Sequence, residues 1–380
     1  MHRNLQSCIF LLVLFGGEAA ATTTTHSLGI VPPAKGGSIA YDMNAAGQVA
    51  AVIQDESGGQ RGVFFENGKL IELGTLGGKD SEAKRINDKG EIIGSASKKD
   101  GAWSAVLYNQ ASGMHELGTL GGTNSYGTAL NNEGSAVGFS DIASGDWHAF
   151  LYKNGEQLKD LGTLGGKISY ASGINNMGQV VGTATLPDEH RHAFFYEPAR
   201  GMIDLGTLGG RSSSATAIND KGVIVGASET ADHHWHAFVY DGQRMVDLGA
   251  IIGRGDSFAT SINSAGHVVG TVRIGEDCMS FVWRDNKVTL HYCGKGLFLT
   301  NAINDTEQVV GATYDHGLNA ATMLSNTAPF VDHGHVKFIN QIVLVLLLAG
   351  AAVIYRKRYR GILLDGSADL GVGKNRFLPR

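Results

Sequence analysis

The stretch "ASGINNMGQVVGTA", Ala171 to Ala184, holds two short apolar pieces on either side of "NNMG". Asn can hydrogen-bond its own backbone two residues on, and Gly accepts a positive φ, so the stretch reads as two β-strands joined by a tight hairpin turn. The same arrangement is anchored on Asn44, Asn87, Asn131, Asn175, Asn219, Asn263 and Asn304, each after an apolar residue and at spacings of 43, 44, 44, 44, 44 and 41. A Gly fills the turn at 47, 90, 134, 178, 222 and 266, whereas the last unit carries Glu307 there.

Working outward from Asn175, "HAFFY" and "MIDLGTL" follow after further polar loops. Each apolar piece is short, rich in Val, Ile, Phe and Tyr, and bounded by turn residues, which predicts four strands per unit. Seven such units with a period in the low forties predict an all-β fold, a seven-bladed β-propeller over residues 26–334. A β-solenoid is the alternative, but four strands of differing character separated by real turns suit radial blades better than stacked rungs. Two segments compete to supply the strand that completes the last blade: "HSLGIV", His26 to Val31, and "FVDHG", Phe330 to Gly334.

The string "GTLGG" recurs after Asp or Glu at Glu72, Glu116, Asp160 and Asp204, with "DLGAIIG" at Asp247 to Gly253. A phosphate-binding loop needs a helix starting behind its glycines, whereas another strand pattern follows here. The string is therefore expected to be the crossover turn between units.

Composition agrees with a turn-rich globular body: 380 residues, 54 Gly, 6 Pro and 18% charged. The start, "MHRNLQSCIFLLVLFGGEAAA", has the layout of a secretory signal peptide over residues 1–21. Phe338 to Tyr355 is an apolar run long enough to cross a membrane as a helix, and "RKRYR" opens a basic tail over residues 356–380, which predicts a single span with the tail inside. The portion between carries 23 basic and 33 acidic residues, a balance that disfavours nucleic acid as a partner. Beyond Cys8, only Cys278 and Cys293 remain.

The ordered combination of "HAF" at 148–150, 192–194 and 236–238 with "DLGTLGG" and the Asn-x-x-Gly hairpin resembles the HAF family of extracellular bacterial repeats, over Ser27 to Leu324. That resemblance implies location and a repeat fold; the family brings no catalytic residues. Units one, two, six and seven carry "GVF", "SAV", "SFV" and "NAA" in place of "HAF", so no role can require a His in every unit.

Within the repeat, three His–Asp pairs are expected to tie the outer strands together: His148 with Asp160, His192 with Asp204, and His236 with Asp247. For the last, a two-residue turn at Asp241 and Gly242 sets His236 opposite Asp247. Metal binding is the sharper reading of "DEHRH" and "DHHWH", through His190, His192, Asp232, His233 and His234. Trp103, Trp147 and Trp235 place aromatics on repeated loop edges, where they can stack against sugars. A two-residue turn at Asp285 and Asn286 sets Cys278 opposite Cys293, which predicts a disulfide. No cofactor motif and no nucleophile elbow is present. The reading that follows is a membrane-anchored, exported, non-catalytic scaffold or ligand-binding module, partnered by the membrane and by an envelope glycan or protein. A propeller hydrolase or lyase acting on envelope carbohydrate is the competing class.

Overall fold

A computed structural model describes residues 24–27, 37–55, 58–153, 155–253, 255–275, 277–291, 297–315 and 318–325. The expected signal peptide, the apolar run 338–355, the basic tail and Phe330 to Gly334 lie outside these residues. Among the described residues, no helix is long and apolar enough to cross a membrane.

The described strands form seven four-stranded antiparallel sheets, six of them consecutive in sequence: residues 38–72, 77–118, 121–160, 169–204, 209–247 and 256–291. The seventh combines Leu297–Ile303, Val309–Asp315 and Leu318–Ser325 with Thr24–Ser27 from the other end of the chain. That terminal strand pairs antiparallel with Leu318–Ser325, from Thr24 opposite Ser325 to Ser27 opposite Thr322. The described part of the closing strand overlaps the "HSLGIV" segment at His26 and Ser27, and Leu28 to Val31 lie outside the described residues.

The fourth sheet shows why the sequence folds this way. Ser169–Ile174 and Val180–Thr185 are joined by the Asn175 turn, in which Asn175 Oδ1 accepts the N–H groups of Met177 and Gln179 at 3.1 and 3.0 Å. Gly178 has φ +74° in that turn, and Glu307 takes φ +62° in the seventh, so the one unit without Gly holds an L-residue in the left-handed region. Arg191–Glu197 then carries "HAF", and Phe194, opposite Gly182, is fully buried. Burying such a ring contributes about 2–3 kcal/mol, and Phe150, Phe238 and Phe281 repeat it. The apolar clusters lie between neighbouring sheets: one unites Ala129, Val137 and Leu151 of the third with Ala171, Val180 and Phe194 of the fourth.

"GTLGG" is a structural turn. Thr163 Oγ1 donates to Gly166 O at 2.8 Å and accepts the Gly165 N–H at 3.2 Å. A Cβ on Gly166 would fall 2.3 Å from Thr185 Oγ1, so the backbone there lies directly on the second strand of its own sheet. In the second, third and fifth sheets the Gly pair already opens the first strand, at Gly77, Gly121 and Gly209. The variant "DLGAIIG" instead forms a short helix, Leu248–Ile252, whose first turn Asp247 caps by accepting the Ala250 N–H.

One of the two hairpin registers expected after a third strand differs, and the other holds. Tyr240 faces Met245, so residues 241–244 make a four-residue connection, and Asp247 falls opposite Phe238 instead of His236. The Asp285–Asn286 hairpin does form with both residues at positive φ, pairing Arg284 with Lys287 and Phe281 with Leu290. Every described pair of this hairpin, as far as Ser280 opposite His291, keeps the expected register.

Candidate ligand-binding face

Every sheet contributes its first strand to a central channel. Tyr41, Lys84, Thr128, Ser172, Thr216, Thr260 and Asn301, each three residues before the anchor Asn, line a cavity of about 310 Å3 together with Arg85. Thr128 and Thr216 donate across to the next sheet, to Ala171 O and Ala259 O at 2.8 and 2.9 Å, so these hydroxyls are held by backbone. At one end lie the anchor residues. Asn44 Nδ2 donates to Asn87 O, and the pattern continues through Asn131, Asn175, Asn219, Asn263 and Asn304, which donates to Asn44 O at 3.4 Å. Asp88, Asn132, Asn176, Asp220 and Asp305 repeat the link one residue further out, each accepting a neighbouring backbone N–H. These side chains are committed to holding sheets together.

The opposite end of the channel differs. Third strands run parallel to first strands, so Trp103, Trp147 and Trp235, which open Trp103–Asn109, Trp147–Tyr152 and Trp235–Tyr240, lie at the end away from the Asn residues. Trp103 N donates to Asn124 Oδ1 at 3.0 Å and Trp235 N to Asp256 Oδ1 at 3.1 Å, clipping each Trp to the first strand of the next sheet. Trp103 stacks on Tyr126 at 5.8 Å between ring centroids, and Tyr126 stacks on Phe139 at 5.2 Å. Trp147 meets both, at 5.8 and 5.5 Å, and Phe139 meets Tyr170 edge-on at 4.9 Å. Five half-buried aromatics from three adjacent sheets therefore form one shelf. Trp235 stands apart with Phe258, at 6.2 Å.

Carboxylates border the shelf. Asp141, opposite Trp147 in the ladder, accepts the Asn124 N–H at 2.7 Å and Asn124 Nδ2 at 3.4 Å. Glu82 pairs with Lys84 at 3.2 Å, and the Lys84 ammonium also sits 4.2 Å from the Tyr41 ring centroid. Burial, then Glu82 and Asp141, push the Tyr126 phenol up.

The three His–Asp pairs lie elsewhere, between third and fourth strands. His148 Nδ1 reaches both Asp160 oxygens at 3.0 and 2.8 Å; His192 reaches Asp204 at 2.9 and 2.9 Å, and His236 reaches Asp247 at 2.9 and 2.9 Å. Each Asp is two residues diagonal to its His, and its Oδ1 also accepts a backbone N–H from Gly162, Gly206 or Ala250. A carboxylate held from both sides orients the turn behind it. In the second sheet Ser104 donates to Glu116 at 2.8 Å, and Lys98, closer still, holds the Glu116 carboxyl below the usual range together with that bond.

The five residues read as metal ligands do not assemble. His190 faces Asp188 at 3.1 Å, His192 faces Asp204, His233 faces Glu229 at 2.6 Å, His234 faces Asp256 at 3.5 Å, and Asp232 accepts from Thr230. Each imidazole has its own carboxylate, and among the described residues no group of three or more His, Cys, Asp or Glu is disposed to hold a metal ion. Cys278 is a free, half-buried thiol that burial pushes up, and Cys293 lies outside the described residues.

Sequence reasoning missed two sets of residues. Tyr126, Tyr170 and Phe258 all lie five residues before an anchor Asn, a fixed offset that marks the channel mouth. Ser81, Ser125, Ser169, Ser213 and Ser257 lie six before, are fully buried, and accept a backbone N–H from the third strand of the preceding sheet at 2.8–3.0 Å.

No protein-family model matches this chain, and no curated protein does. Among solved structures it is similar to the β-propeller domain of the Trilobed protease from Pyrococcus furiosus, at 12% identity over 76% of this chain and 96% of that one, with a TM-score of 0.56. The chain folds as a β-propeller. It is also similar to Pyrococcus horikoshii acylaminoacyl peptidase, at 15% identity over 79% of this chain and 54% of that one, TM-score 0.54. BP39L lectin from Burkholderia pseudomallei matches at 10% identity over 77% and 96%, TM-score 0.50. At these identities the likeness is one of fold, shared by proteins named as a protease, a peptidase and a lectin.

Proposed function

We propose that this chain is a seven-bladed, non-catalytic binding module that holds saccharide at the cell envelope, exported by residues 1–21 and anchored by the apolar run 338–355. The observation that carries the binding reading is the shelf of Trp103, Tyr126, Phe139, Trp147 and Tyr170: five touching aromatics, half-exposed at a channel mouth. Aromatic faces offer flat apolar area at low entropic cost, and a pyranose presents C–H faces that suit them. The bordering Asp141 and Glu82 oxygens can accept from sugar hydroxyls. The HAF-type repeat, the leader and the basic tail support the location. A non-catalytic role is supported by the three His–Asp pairs, whose carboxylates are bound into backbone turns.

Full-length protein in detergent, screened by tryptophan fluorescence against a panel of oligosaccharides, tests this. Binding that weakens at least about tenfold in Trp103→Ala and Trp147→Ala, but not in Trp235→Ala, is expected, corresponding to roughly 1.4 kcal/mol for the lost stacking. Saccharide turnover, or binding indifferent to Trp103 and Trp147, would overturn it.

A further inference from the structure

The shelf carries a charge pattern as well as a shape. Asp141 is held only by the neutral donors of Asn124, and no cationic side chain is paired with it among the described residues. It stands opposite Trp147 in the ladder, and Asn124, which it holds, in turn accepts the backbone N–H of Trp103, so one short chain of contacts links the carboxylate to both Trp positions. Glu82 adds a second carboxylate near Tyr126. Its partner Lys84 is shared with the Tyr41 ring, three residues before Asn44 on the neighbouring first strand. The residues between Thr22 and Lys337 carry 33 acidic against 23 basic side chains, so the wider field has the same sign. Tyr126 stacks on Trp103 at 27° and on Phe139 at 26° and meets Trp147 at 44° of interplanar angle, so the two indoles flank it on the half-buried shelf. Rings and an unneutralised carboxylate together attract a cation and repel an anion.

We infer that the shelf selects saccharides bearing a free ammonium group, the de-N-acetylated amino sugars, over their N-acetylated and uronic-acid counterparts. The indoles take the sugar face and supply the cation–π contact, and Asp141 takes the ammonium at the edge. This inference rests on the saccharide-binding reading above and adds the charge of the ligand to it.

The test uses full-length protein in detergent and three tetrasaccharides: glucosamine, N-acetylglucosamine and galacturonate. The glucosamine oligomer should bind at least about tenfold more tightly than the N-acetylated one, with galacturonate weakest, and the gap should narrow as salt is raised. Asp141→Asn keeps an oxygen for the Asn124 N–H and should bring the two hexosamine oligomers within about threefold of each other. Should that variant unfold, Glu82→Gln must show the same convergence in weaker form. Equal affinity for the free and acetylated oligomers, with Trp103→Ala abolishing both, would overturn the charge assignment and leave saccharide binding standing. Failure of every saccharide to bind would overturn both.

Discussion

At the scale of single residues, the strongest contributors are the ones with least chemical reputation. Ser213 is fully buried, accepts the Ala193 N–H at 2.8 Å and donates to Gly206 O at 2.5 Å, so one hydroxyl closes two backbone groups across a sheet boundary. Ser213→Ala strands both, and urea unfolding should show a loss of about 2–3 kcal/mol. His192→Ala removes a pair whose Asp is 38% exposed, and should cost about 1 kcal/mol or less in the same experiment. The reverse order would mean that the His–Asp pairs, not the serines, hold the sheets. Asp42 supplies a pH test. Burial pushes its carboxyl up, with Arg85 and the Ile86 N–H at 3.0 Å opposing. A raised folded value means the folded protein holds the proton more tightly, so this group contributes stability at low pH that is lost as pH rises through the folded value. Asp42→Asn should therefore be more stable than the natural protein at about pH 8, and the two should converge below about pH 4 in thermal melts. The serines were legible only as an offset of six from each Asn. Serine has no hydropathy signature, and its partner lies in another unit.

At the scale of elements, the Asn-anchored hairpins were legible, and the connection from third to fourth strand in the fifth sheet was not. An Asn-x-x-Gly turn is decided within four residues, so every first-to-second strand pairing followed from local chemistry. The connection after Tyr240 has four residues instead of two because Asp241 accepts the Gln243 and Arg244 N–H groups, a choice that "DG" alone does not declare. "DLGAIIG" turned from loop to helix because Asp247 caps it while holding His236. The terminal strand is the element most open to test. Deleting Thr24–Ser27 unpairs the edge of Leu318–Ser325 and should lower the melting temperature and promote edge-to-edge aggregation. An unchanged melting temperature and a monodisperse protein would show that this strand does not seal the sheet.

At the scale of the molecule, the Asn relay makes the channel wall one hydrogen-bonded circuit. Asn175 Oδ1 accepts two N–H groups of its own turn, and its Nδ2 reaches Gln179 Oε1 at 2.8 Å and Asn219 O at 3.1 Å. Asn175→Ala should cost about 3 kcal/mol in urea unfolding, and Asn175→Asp, which keeps only the acceptor, an intermediate amount. Equal losses for both would assign the effect to the turn instead of the relay. The sequence period announced repetition, but the shelf depends on what the period does not share: Tyr126, Phe139 and Tyr170 coincide in neighbouring sheets, where other units place Ser214 or Thr183. The terminal strand also sets an order of events. Ser27 meets Thr322, so one strand waits for a partner made about 295 residues later, and closing a loop of that length costs about 5 kcal/mol of chain entropy. Local hairpins can form in microseconds, whereas this seam forms late and slowly. Until it does, Leu318–Ser325 is an unpaired edge. A nascent or stalled chain thus carries an open strand edge, and every second spent in that state exposes it to pairing with another chain, whatever the stability of the finished protein.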